Sequence, residues 1–467
     1  MATNPEIPMD PLPRPLTAFK AYDLRGRLGE ELNADIAYRV GRAFAEVMGA
    51  SRVVVGRDVR PSSEELCEAL ARGLVDAGVE VLDLGLSGTE ETYFAVSHLG
   101  ADGGICVTAS HNPMDYNGMK MVREGSAPIG AEEGMNAIKA LAESGDFAPD
   151  KAGGHVRDVS GTRADYVTKL MEFVDVSALT PLKVLVNAGN GAAGPSFDAL
   201  AAALSAAGAP LEFIRVDLDP DGSFPNGIPN PLLETNQPKT AGPVVEHGAD
   251  LGVAWDGDFD RCFFFDHEGG FIPGEYVVGL LAEAFLTKEP GEKIIHDPRV
   301  IWATQEIVAK LGGEAVQSKC GHSHIKAKMR ETGAIYGGEM SAHHYFRDFM
   351  ACDSGMIPWL LVVELICRRG QSLKELMAER RAAYPSSGEV NFRVEDAPAV
   401  IARIEAAYAP KAEARDDMDG LSLSFGDWRF NLRSSNTEPL LRLNIEARAK
   451  PDLVAEKLAE IRALIEQ

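Results

Sequence analysis

The chain is predicted to be an α/β protein, with three similar mixed α/β domains followed by a smaller C-terminal α+β domain. Three observations lead there. A pattern of strand, helix, strand, spacer and strand recurs three times along the sequence, as expected of mixed sheets covered by helices. Beyond residue 384 the apolar period switches to two, the mark of antiparallel strands with one buried face. The length of 467 residues exceeds what a single core supports and suits roughly three or four domains. A solenoid would repeat at closer and simpler spacing. The boundaries expected are 1–163, 164–266, 267–383 and 384–467.

The first 20 residues read as a Pro-rich entry arm, and the first informative segment is Phe19-Lys20-Ala21-Tyr22-Asp23-Leu24-Arg25-Gly26. In the first block Arg52-Val53-Val54-Val55-Gly56 is a strand. A helix is expected from Ser62, where Ser62 and Glu65 match a capping box. Leu66, Leu70 and Leu74 line one face of it, and Gly78 stops it. A strand over 79–84 follows, and Gly104-Ile105-Cys106-Val107 closes the block as a buried parallel strand. That strand runs into Thr108-Ala109-Ser110-His111-Asn112-Pro113. Asn-Pro disfavours immediate entry into a helix, so Ser110 is held at a strand end with an imidazole beside it.

In the second block Lys183-Val184-Leu185-Val186 is the strand, and the helix carries Phe197, Leu200 and Leu204 before Gly208. The next strand spans 211–216. Leu251-Gly252-Val253-Ala254-Trp255 then runs into Asp256-Gly257-Asp258-Phe259-Asp260-Arg261. In the third block Lys293-Ile294-Ile295 is the strand, a helix surrounds Ile307 and Leu311, and a strand lies near Val316. The closing strand Ala334-Ile335-Tyr336 leads to Gly337-Gly338-Glu339-Met340-Ser341-Ala342-His343-His344. Loops at strand C-termini form the ligand crevice in such sheets. After a linker at 384–388, Phe430 and Leu432 alternate with arginines and Asn431, and Leu441, Leu443 and Ile445 alternate likewise. A final helix with Val454, Leu458, Ile461 and Ile465 on one face covers these strands.

No apolar run approaches the ~18 residues of a membrane helix, and the N-terminus lacks the pattern of a signal peptide. The six scattered cysteines form no Cys-x-x-Cys pair, which suits packed, reduced thiols and a cytoplasmic protein. Lys plus Arg number 46 against 70 Asp plus Glu, a formal charge of -24. That field disfavours nucleic acid and anionic membrane as partners. An anionic ligand would then require a local island of cations.

The loops supply one. Arg25, Lys120 (in Asn117-Gly118-Met119-Lys120) and Arg261 lie beside the candidate loops. Arg433-Ser434-Ser435-Asn436-Thr437 offers a guanidinium, hydroxyls, an amide and backbone N–H groups suited to a phosphate. Asp256, Asp258 and Asp260 stand at alternate positions, and three carboxylates that close require a cation. Oxygen ligands suit Mg²⁺ or Ca²⁺. An EF-hand is disfavoured, because Arg261 stands where its sixth-position Gly belongs and His267 where its final Glu belongs. Glu339, Ser341 and His343 could hydrogen-bond sugar hydroxyls, and zinc at His343 and His344 lacks further partners.

These four motifs, in this order and rough spacing, resemble the α-D-phosphohexomutases, and the resemblance runs from Tyr22 to the final helix. The loop with Met340 and His343 is most similar to the phosphomannomutase branch. The resemblance implies a heart-shaped four-domain architecture and a serine, Ser110, that carries a phosphoryl group. It implies Mg²⁺ on Asp256, Asp258, Asp260 and the phosphorylated Ser110. It also implies a hexose 1,6-bisphosphate that is both intermediate and activator. Catalytic candidates are Ser110, Arg25, Lys120, His343 and His111. Substrate-binding candidates are Tyr22, Arg261, Arg299, His322, Glu339, Ser341, Arg433, Ser435, Asn436 and Thr437, with the fourth domain as a mobile lid. Arg299 stands where several relatives carry lysine, which alters hydrogen-bond geometry.

The expected activity is interconversion of mannose 6-phosphate and mannose 1-phosphate for GDP-mannose synthesis, in a cytoplasmic monomer or homodimer. Glucose phosphates are the alternative substrates. A metal-dependent phosphatase would not need the Arg433 loop, a sugar-phosphate sensor would not need Ser110 intact, and a serine hydrolase would need a Gly-x-Ser-x-Gly elbow.

Overall fold

The computed structural model describes residues 14–20, 22–434 and 440–467. Its contacts divide it into two compact units, Met1–Gly269 with Asp348–Arg368, and Gly270–Arg347 with Arg369–Gln467.

The first unit contains two sheets. In one, Gly103–Val107 and Glu80–Leu86 flank Arg52–Arg57 in parallel, and Tyr116–Arg123 joins antiparallel beside Gly103–Val107. Leu24–Arg27 pairs with the outer side of Tyr116–Arg123. All five residues of Gly103–Val107 are buried, which accounts for an apolar run without alternation. Helices Ala34–Met48 and Pro61–Asp76 cover one face. They cross closely because a Cβ on Gly41 would stand 2.3 Å from the Leu70 carbonyl oxygen, and one on Gly73 2.1 Å from that of Tyr38.

In the second sheet Leu182–Asn187 lies parallel to Leu211–Val216 and Leu251–Trp255, and Cys262–Asp266 returns antiparallel to Leu251–Trp255. Helix Met356–Arg369 is buried along most of its length. Its Trp359 ring packs 5.9 Å from that of Phe197. The segment Asp348–Arg368 therefore sides with the first unit, although it lies within the stretch expected to form the third domain.

In the second unit Lys293–His296 is parallel to Glu314–Gln317 and Tyr336–Gly338, with His344–Phe346 antiparallel to the latter. The remaining sheet is antiparallel throughout, in the order Ser386–Arg393, Leu440–Ala447, Trp428–Ser434, Leu421–Ser424, Ala414–Asp416. Phe430, Leu432, Leu441, Leu443 and Ile445 form its core with Val454, Ile461 and Ile465 of helix Pro451–Ile465.

Three local expectations differ from the structure. The helix expected at Ser62 begins at Pro61, and no side chain caps it. Proline suits the first helical position, where its missing N–H removes no bond. The linker at 384–388 is already strand from Ser386, since the Ser386 backbone pairs with Glu446. The strand expected over 334–336 starts at Tyr336, where the register with Ile294 begins.

Candidate functional site

Ser110 lies three residues beyond the end of strand Gly103–Val107 and adopts a left-handed backbone, with φ of 48°. A non-glycine residue there is held by its surroundings. Its Oγ donates to Asp256 Oδ2 at 2.5 Å and lies 3.0 Å from His111 Nδ1. The Arg261 guanidinium also points at that Nδ1. Because a guanidinium only donates, Nδ1 is an acceptor and the ring hydrogen sits on Nε2. The lone pair that a general base would use on Ser110 is thus already engaged. Burial, and then the charge of Arg261, push the His111 imidazole down to about 4.

The sheet register brings cations to the same place. Lys120 stands opposite Cys106, and Arg25 opposite Gly118. Lys120 Nζ donates to Asp258 Oδ2 at 2.7 Å and to Asp260 Oδ2. Arg25 donates to Asn112 Oδ1 at 2.7 Å and to Asp23 at 3.0 Å. Arg261 Nη2 and Nε reach Asp256 Oδ2 at 2.7 and 3.0 Å. Although burial opposes it, Arg261 beside Asp256 holds that carboxyl well below the usual carboxylate range. Lys120 holds Asp258 down against the same penalty. The two carboxylates in turn keep the buried Lys120 ammonium charged. Tyr22, half-buried, precedes strand Leu24–Arg27.

Asp256, Asp258 and Asp260 are all buried, and one carboxylate oxygen from each lies within 4.8 Å of the others. Asp258 Oδ1 is buried without a hydrogen-bond partner among the described residues. An all-oxygen set with an unspent buried lone pair fits a hard divalent cation. Residues that the sequence did not single out shape this loop. Thr89 Oγ1 donates to Asp258 Oδ2 at 2.7 Å and Thr89 N to the Asp258 carbonyl at 3.3 Å. A Cβ on Gly88 would lie 2.1 Å from the Phe259 ring, so the ring seats against bare backbone.

In the second unit, Glu339 is buried and accepts from Gly321 N at 2.8 Å and from Tyr345 OH at 2.6 Å. Arg299 forms a fork with Asp297 at 2.7 and 3.0 Å and lies 3.8 Å from Glu339 Oε1 and 3.5 Å from Ser341 Oγ. His343 stacks on Tyr345 with ring centroids 6.2 Å apart. His322 opens helix His322–Thr332, after Gly321 at φ 110°. Glu389, absent from the sequence-based set, sits among three guanidiniums: Arg433 at 3.0 Å, Arg442 at 3.2 Å and Arg299 at 3.4 Å. These arginines hold its carboxyl below the usual range despite burial. Ser435, Asn436 and Thr437 lie outside the described residues.

The structure thus gathers Ser110, His111, Arg25, Lys120, Arg261 and the three aspartates within the first unit. Arg299, Glu339, Ser341 and Arg433 are linked within the second through Asp297 and Glu389. Asp297 and Glu389 carry no local signal beyond their charge. Their partners lie up to 90 residues away, as Arg299 and Glu389 do.

Four family models cover almost the whole chain. They are described as phosphoglucomutase/phosphomannomutase alpha/beta/alpha domains I, II and III, at residues 16–149, 164–270 and 273–384, and C-terminal domain, at 389–464. A phosphomannomutase of Salmonella montevideo is 61% identical over 452 residues, 96% of this chain and 99% of that protein. A phosphomannomutase of Escherichia coli is 59% identical over 453 residues, again 96% and 99%. The crystal structure of a phosphoglucomutase/phosphomannomutase family protein from Burkholderia thailandensis superposes with a TM-score of 0.84 at 35% identity. That match covers 96% of this chain and 97% of that one. Motifs, sheet architecture and relatives agree across nearly every residue, and the chain belongs to the phosphoglucomutase/phosphomannomutase family.

Proposed function

We propose that the protein is a phosphomannomutase that interconverts mannose 6-phosphate and mannose 1-phosphate. The observation that carries this reading is Ser110 Oγ held against Asp256 inside a cluster of three carboxylates and three cations. The relatives named phosphomannomutase, 53–61% identical over nearly the full chain, support the choice of sugar.

In the cycle, Ser110 carries a phosphoryl group. The free hydroxyl of the sugar monophosphate attacks phosphorus, the Ser110 Oγ–P bond breaks, and a hexose 1,6-bisphosphate forms. The hydroxyl proton is carried to the released Ser110 Oγ; His343 is the candidate for relaying it, and the charged Lys120 and Arg25 are the candidates for polarising the reacting hydroxyl. The bisphosphate turns over and returns its other phosphate to Ser110. Arg25 and Lys120 offset charge on the transferring group, while Arg261 keeps Asp256 ionised. Glu339, Ser341 and His322 hold sugar hydroxyls, and Arg299 and Arg433, with Tyr22 and 435–437, bind the substrate and its distal phosphate. Asp256, Asp258 and Asp260 would hold Mg²⁺ with a phosphoserine oxygen, and the ion would supply Lewis-acid neutralisation of the phosphoryl oxygens. Free hexose 1,6-bisphosphate would act as activator by restoring the phosphoenzyme. A cytoplasmic monomer or homodimer feeding GDP-mannose synthesis fits this chemistry, with the fourth domain closing as a lid.

Intact-protein mass spectrometry with a coupled assay tests it. One added phosphoryl group and formation of mannose 1-phosphate are expected. Inorganic phosphate as the main product would establish a phosphatase instead.

A further inference from the structure

Arg60, which the cycle above does not use, touches the Ser110 loop at four points. Its Nη2 donates to the carbonyl oxygens of Ser110 at 3.0 Å and Asn112 at 2.5 Å. Its Nη1 donates to those of Pro113 at 2.9 Å and Tyr116 at 3.3 Å. A single planar fork thus fixes four carbonyls of one turn, a task for which lysine's three donors on one atom are unsuited.

The fork is itself immobilised. Arg60 is 2% exposed, Asp58 lies 3.5 Å from its Nε, and the Phe224 ring lies 5.6 Å from its guanidinium carbon. Asp58 also accepts from Ala109 N at 3.3 Å, so one buried pair holds both the N–H and the C=O side of the loop. Gly257 also packs against the Ser110 carbonyl, where a Cβ would come within 2.5 Å of that oxygen. The left-handed φ of Ser110 is costly in a residue with a Cβ and persists only where neighbours over-determine it.

We propose that Arg60 is a positioning residue for phosphoryl transfer. By fixing four carbonyls of the Ser110 loop, it holds the serine oxygen in the strained geometry from which transfer is in line. This rests on the reading of Ser110 as the phosphoryl carrier. Phosphoryl transfer depends mainly on alignment, so a loosened loop costs turnover more than binding.

The test is Arg60→Lys, which keeps a cation beside Asp58 and loses the fork. It is expected to fold and to bind sugar phosphate with KM within about threefold, with kcat reduced about 30- to 300-fold. Amides 109–116 should exchange hydrogen faster while strand Arg52–Arg57 stays protected. If Arg60→Lys does not fold, Asp58→Asn decides: it retains an acceptor for Ala109 but loosens Arg60, and kcat should fall with KM unchanged. Wild-type kcat in the folded variant overturns the inference. So does an equal loss of protection through strand and loop, which would mark a merely structural role. A wild type that neither carries the phosphoryl group nor interconverts mannose phosphates overturns the reading of Ser110, and this inference with it.

Discussion

Ser110 gains its meaning from residues far from it in sequence. Asp256, 146 positions away, takes its hydrogen bond, and Arg261 occupies the lone pair of the neighbouring histidine. In the proposed cycle, Ser110→Ala removes the phosphoryl acceptor. Turnover should fall by several orders of magnitude, with sugar-phosphate affinity, read by calorimetry, within about threefold. A different single-residue effect belongs to His344, which is fully buried and bonded to Tyr336 OH at 2.8 Å. Burial, and then His343, push its imidazole down to about 3 from an ordinary 6.5. The unfolded chain therefore binds a proton below pH 6.5 that the folded protein refuses until about pH 3. His344 leaves stability intact above 6.5 and reduces it by about 1.4 kcal/mol per pH unit below. His344→Gln should flatten the dependence of urea-unfolding stability on pH between 4 and 6 by about that slope.

At the scale of elements, two contacts set the site's shape. The turn before helix Thr89–His98 seats the Phe259 ring on Gly88, and Thr89 holds Asp258. Gly88→Ala should displace the aspartate loop, cost about 1–3 kcal/mol and reduce the rise in melting temperature produced by Mg²⁺. In the second unit, buried Arg429 bonds Glu446 at 2.9 Å and the carbonyls of Arg299 and Pro298 at 2.9 and 3.0 Å. Glu446 in turn accepts from Ile301 N and Trp302 N. Arg429→Met strands the Glu446 charge and should cost about 3–5 kcal/mol in chemical denaturation. Any lid motion of the C-terminal sheet would need to pivot on, or break, this knot.

For the whole molecule, the charge of -24 makes the proposed phosphate site an exception to its surroundings, with its buried cations Lys120 and Arg261 held by carboxylates. Asp256, Asp258 and Asp260 all lie in the first unit. Adding Mg²⁺ should slow hydrogen exchange in peptides covering 251–261 and 108–120, with peptides from 421–447 unchanged. At a hundred times its dissociation constant the ion would stabilise its unit by about 2.7 kcal/mol, and a chelator should reverse the effect.

The sequence by itself determined the repeated α/β blocks, the antiparallel C-terminal sheet, and the loops around Ser110, Asp256 and Glu339. Apolar period and turn chemistry act over a few residues, and a motif is read within one loop. Only the tertiary structure decided that Arg60 grips the Ser110 loop, that Thr89 orients Asp258 across 169 positions, and that Glu389 gathers three arginines. It also assigned Asp348–Arg368 to the first unit. Buried polar groups take whichever partner the fold brings within hydrogen-bond distance, and no local pattern encodes a partner that chain topology supplies.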